Sequence, residues 1–149
     1  MSYPLDPNTV SHGIQLAVAP VFLLTAVAGM IGAVATRLAR IIDRARMLED
    51  RIKHDELHNE HTDYLDELGV LRKRGRLANA AIGLLTLCSF LIGVTIMVLF
   101  LGEATNFQGI RISIVSFLAG VVCFLIALVC FFVETLIATR MLDFGKSHS

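Results

Sequence analysis

The sequence predicts an all-α membrane protein: three transmembrane helices, with a cytoplasmic antiparallel helical hairpin between the first and second. Three observations predict it. The chain is 55% hydrophobic and only 17% charged, with a mean hydropathy of +0.69, a balance unlike that of a soluble domain of 149 residues. The charges are gathered in one place, with ten of the thirteen Lys and Arg between Arg37 and Arg76 and nine of the thirteen Asp and Glu between Asp43 and Glu67. Three stretches, 14–36, 77–101 and 112–139, each exceed the roughly 20 apolar residues that cross a bilayer. Net charge is zero, and no nucleic-acid partner is expected.

Residues 1–13 form an outer segment before the first span, 14–36. A secretory leader needs a positive region ahead of its apolar core, and neither Lys nor Arg precedes Arg37, so the stretch is expected to remain as a span. Gln15, Ala19, Phe22, Ala26, Gly29 and Ala33 recur at helical spacing and form a stripe of mainly small residues. Small residues let helices approach closely in lipid. Pro20 removes a backbone donor and frees the carbonyl of Leu16, which in hydrocarbon needs a partner. Gln15, Ala19, Pro20, Ala26, Gly29 and Ala33 are therefore expected to form an interface with a second copy of the chain.

Residues 37–76 make the hairpin. Leu38, Ile41, Ala45, Leu48 and Ile52 continue the first helix as a heptad seam, so a helix from Ile14 to Lys53 would be ~60 Å long at 1.5 Å per residue. A returning seam follows at Leu57, His61, Tyr64, Leu68, Leu71, Gly75 and Ala78, where Gly69 and Gly75 weaken the helix and mark a bend. The tip between them reads HDELHNEH. His54, His58 and His61 would share one face of a helix and offer a weak metal site, but a turn there scatters the rings, and the plainer reading is a solvated polar tip.

The second span is 77–101, a short outer loop is 102–111, the third span is 112–139, and 140–149 is a cytoplasmic tail. The third span carries the most regular pattern. Ser113, Ser116, Gly120, Cys123, Ala127, Cys130 and Glu134 form one small, weakly polar face ending in a carboxylate. Such a face either packs against helices or lines a narrow aqueous path. Glu134 is costly inside a span; it either pairs with Arg37 or Arg76 or binds an ion. Arg37, Arg40, Arg76 and Glu134 would form a charged ring at the inner mouth. Cys88, Cys123 and Cys130 lie within spans, with neither metal spacing nor a disulfide framework. The basic 37–76 segment and the tail residues Arg140 and Lys146 orient the chain by the positive-inside rule, with the N-terminus outside and the C-terminus in the cytoplasm.

The segments SHGIQLAVAPVFLLTAVAGM and TRLARIIDRARMLE, followed by LRKRGRLANAAIGLLTLCSF and ETLIATRML, resemble the blocks of an uncharacterised bacterial family of small three-span integral membrane proteins, catalogued as a domain of unknown function. The resemblance covers about residues 10–143. It implies the three-span topology and a bacterial inner membrane, and it carries no activity.

No Ser-His-Asp set, phosphate-binding glycine loop or metal cluster falls in one plausible pocket, so the chain is not expected to be an enzyme and no cofactor is expected. The expected function is a homo-oligomeric ion channel or small transport pathway. The alternative is a non-conducting scaffold or accessory subunit that acts through its cytoplasmic coiled-coil hairpin. Expected partners are further copies of the chain, anionic lipid head groups at the inner face, and ions if a path exists.

Overall fold

A computed structural model describes residues 7–54, 61–105 and 110–144, which form three helices: α1 (Pro7–His54), α2 (His61–Thr105) and α3 (Ile110–Phe144). Each helix is long and apolar enough to cross a membrane, which suggests a multi-pass membrane protein. Helices are the expected solution, because a bilayer leaves no water to satisfy backbone groups and each helix satisfies its own. α1 runs through Pro20, and α2 runs through Gly69 and Gly75 without interruption. The tip segment 55–60 lies outside the described residues.

Buried positions recur every seven residues on all three helices. On α1 they are Pro20, Val27, Val34, Ile41 and Leu48; on α2, Leu71, Ala78, Leu85 and Ile92; on α3, Ser113, Gly120, Ala127 and Glu134. A seven-residue repeat keeps one face of a helix toward its neighbours over many turns. The seam expected at Leu38, Ile41, Ala45, Leu48 and Ile52 is buried or half-buried throughout, as are Tyr64, Leu68, Leu71, Gly75 and Ala78 on α2.

The chain divides into two compact units. The first combines residues 1–30 with 84–125. Its core holds Val27, Leu85, Cys88 and Ile92, with Thr95, Ser113 and Ser116 as buried polar groups. α2 and α3 pack together at Gly120, where an added Cβ would lie at ordinary contact distance, 3.5 Å from Ile92, 3.6 Å from the Cys88 carbonyl and 3.6 Å from Leu91. The Ser116 hydroxyl donates to the carbonyl of Leu91 at 2.8 Å, and Thr95 donates to the same carbonyl at 2.9 Å. An unpaired hydroxyl in an apolar core would be costly, so these bonds are what let Ser and Thr occupy it.

The second unit combines residues 31–83 with 126–149. Val34, Ile41, Leu48, Leu68, Leu71, Ala78, Ala81 and Ala127 form its apolar core. Gly75 faces Ile41, whose Cγ2 would lie 3.8 Å from an added Cβ, an ordinary contact distance. Two ion pairs join α1 to α2 here, Arg44 to Glu67 at 3.1 Å and Arg72 to Glu49 at 3.3 Å. All four side chains are substantially solvent-exposed, so each pair contributes little to stability.

Candidate functional site

In the second unit the polar groups converge on Glu134. It lies on the buried face of α3, seven residues beyond Ala127 and fourteen beyond Gly120, so the period that buries the small residues also buries the carboxylate. Its side chain is 1% exposed. Burying a charge is expensive unless it is paired and hydrogen-bonded, and Glu134 is both. Arg74 of α2 donates from Nε at 3.1 Å and from Nη2 at 2.9 Å to Oε1. Arg37 of α1 donates from Nη1 at 3.1 Å to Oε2. One carboxylate thus ties all three helices together within this unit.

Arg37 is itself positioned from three sides. Its Nη1 also donates to the Thr135 hydroxyl at 2.6 Å, and that hydroxyl in turn donates a hydrogen bond to the carbonyl of Phe131 at 3.0 Å. The guanidinium carbon stands 5.2 Å from the centre of the Phe131 ring, a distance at which a cation is attracted to the ring face. The residues Phe131, Glu134 and Thr135 recur at three- and four-residue spacing, so one turn of α3 presents ring, carboxylate and hydroxyl together.

The cluster borders a cleft of about 280 Å³ lined by Arg37, Arg40, Ile41, Arg44, Leu71 and Arg74. A second cavity, about 320 Å³, belongs to the first unit and is apolar, lined by α1 residues from Ile14 to Thr25 and by Phe100 of α2.

The candidate residues from the sequence are distributed as follows. On α3, Ser113, Ser116, Gly120, Ala127 and Glu134 are buried, and Cys123 and Cys130 half-buried. On α1, Gln15, Ala19, Ala26, Gly29 and Ala33 are exposed on the chain, whereas Pro20 is buried. Of the charged ring, Arg37 meets Glu134, Arg40 is exposed on the cleft wall, and Arg76 is exposed. The α2 arginine that reaches the carboxylate is Arg74. It flanks the Leu71–Gly75–Ala78 seam at three and four residues from its members, whereas Arg76 is two residues on and about 200° around the helix. The seam therefore held the signal for Arg74, and Thr135 and Phe131 follow from their spacing to Glu134. The side chains of His54, His58 and His61 lie outside the described residues.

The carboxylate is a closed site. The side chain is buried, and both oxygens accept from arginines, which take three of its roughly four acceptor positions. The cleft above it presents guanidinium groups.

The chain belongs to a family described as "Protein of unknown function (DUF2721)", whose model matches residues 17–144. No curated protein and no solved structure matches it.

Proposed function

From that family membership and the closure of Glu134, we propose that the chain is a non-conducting, self-associating scaffold or accessory subunit of the bacterial inner membrane. One observation carries the reading. The small, weakly polar face of α3, the feature best suited to line an aqueous path, is the buried or half-buried face within a single chain, and both oxygens of its carboxylate are engaged by Arg37 and Arg74. Polar groups satisfied inside the chain are not available to a permeating ion.

In this reading the charged parts of α1 and α2 stand in the cytoplasm as an antiparallel coiled-coil hairpin and present both charge signs to a partner. The pairs Arg44–Glu67 and Arg72–Glu49 support that pairing, and the positive-inside rule supports the cytoplasmic side. Self-association runs through the α1 stripe of Gln15, Ala19, Ala26, Gly29 and Ala33, which the chain leaves uncovered. The scaffold needs no catalytic group and no cofactor.

The same exposed α1 stripe supports a second reading, an ion channel in which α1 helices from several copies surround a path. Thiol accessibility separates the two. Ser116→Cys and Ala127→Cys are made with Cys88, Cys123 and Cys130 replaced, beside Arg40→Cys as an exposed control. The scaffold reading expects a membrane-impermeant maleimide, added to inside-out membrane vesicles, to label the control and neither buried position. Labelling of both buried positions at a rate near the control would mark α3 as water-lined and transfer the weight to the channel.

A further inference from the structure

We propose that the cleft bounded by Arg37, Arg40, Arg44 and Arg74 is an oxyanion site that takes a phosphate group, carried either by an anionic lipid head group or by a soluble phosphate. It lies within one chain and stands whether or not copies assemble.

The argument begins with charge. Four of the six residues lining the cleft are arginines. Two carboxylates engage them, Glu134 with Arg37 and Arg74, and Glu67 with Arg44. Arg40 has no carboxylate partner among the described residues. Among the described residues the wall therefore carries four positive charges against two negative ones. Glu134 is buried behind its arginines, so the cleft itself is faced by guanidinium.

Donor supply gives the second part. The side-chain hydrogen bonds of Arg37 to described residues leave from Nη1, and those of Arg44 leave from Nε and Nη2 to one oxygen of Glu67. Nε and Nη2 of Arg37, Nη1 of Arg44 and the guanidinium of Arg40 have no hydrogen-bond partner among the described residues. A planar guanidinium presents paired N–H groups at the spacing of two phosphate oxygens, which is why arginine is favoured for phosphate recognition.

The setting strengthens the attraction. Ile41 and Leu71, both buried, form the apolar part of the lining, and a charge beside apolar atoms is less screened than one in open water. Arg37 and Arg74 are also held in place by the buried Glu134, so little of their side-chain freedom remains to be lost on binding. In the sequence Arg37 directly follows the apolar stretch 14–36, which suits a ligand at a membrane surface.

The experiment uses the full chain, purified in detergent. Native mass spectrometry measures retention of phosphatidylglycerol and of cardiolipin against phosphatidylcholine, and a parallel titration follows thermal stabilisation by inorganic phosphate. Arg40→Gln removes a lining charge that holds nothing else in the described structure, and Arg76→Gln removes an exposed charge outside the cleft. The expected result is selective retention of an anionic probe, weakened roughly five- to tenfold by Arg40→Gln and unchanged by Arg76→Gln. If inorganic phosphate stabilises the protein and displaces the lipid, the source is soluble; if only the lipids bind, it is a head group. Equal losses in the two variants, or no preference for any anionic probe, would overturn the site.

Discussion

Glu134 shows how one side chain changes meaning with its surroundings. An isolated carboxylate in a span is an ion-site candidate; the same carboxylate with three arginine nitrogens on its two oxygens holds helices together. Its two partners are unequal. Arg74 is 18% exposed and donates twice, whereas Arg37 is 40% exposed and donates once. Arg74→Gln should therefore cost about 3 kcal/mol, the scale for breaking a buried pair. Arg37→Gln should cost about 1 kcal/mol or less, because solvent screens the more exposed partner. Arg76→Gln should fall within about 0.5 kcal/mol of the parent. Unfolding in detergent followed by circular dichroism gives the order directly, and equal losses at Arg74 and Arg76 would deny Glu134 its role in holding the unit together.

At the scale of the helix, α3 is built to be approached. Its innermost positions are Ser, Gly, Ala and Glu at seven-residue spacing, while Val115, Val129 and Phe132 turn outward. Gly120 tests this geometry. An added Cβ would meet Ile92, Leu91 and the Cys88 carbonyl at ordinary contact distance, so Gly120→Ala should leave the fold within about 1 kcal/mol of the parent. Gly120→Leu has nowhere to place its branches and should cost about 1–3 kcal/mol by overpacking. A chain that tolerates leucine and alanine equally, by thermal midpoint and by helicity, would mean that α2 and α3 do not pack closely at this level.

For the whole molecule the open quantity is the number of copies. The α1 stripe is exposed on the chain, and among the described residues nothing beyond α1's own adjacent backbone lies within 4 Å of a Cβ added to Gly29. Leucine at this position therefore fits the isolated chain, and any effect it has on assembly belongs to contacts between copies. The wild-type protein in mild detergent or nanodiscs should run as a multiple of 16.3 kDa, and Gly29→Leu should lower that multiple with helicity unchanged, as read by light scattering. A wild-type protein of monomeric mass would count against self-association through α1.

Much of this molecule was legible from the sequence because the bilayer restricts the choices. A long apolar run has one inexpensive way to satisfy its backbone, and three such runs mean three helices. The hydrophobic spacing also gave the seams of α1 and α2 near their charged ends. Spacing identifies residues that share a face, but it does not say which face meets a neighbour. In water polarity would decide. In hydrocarbon the small face and the large apolar face are both acceptable to lipid, so the α1 and α3 stripes were equivalent on paper. Tertiary packing separated them, turning the α3 stripe inward and leaving that of α1 outside. It also chose Arg74 over Arg76, because a helix rotates by about 100° per residue and only the residue flanking the buried seam could reach Glu134.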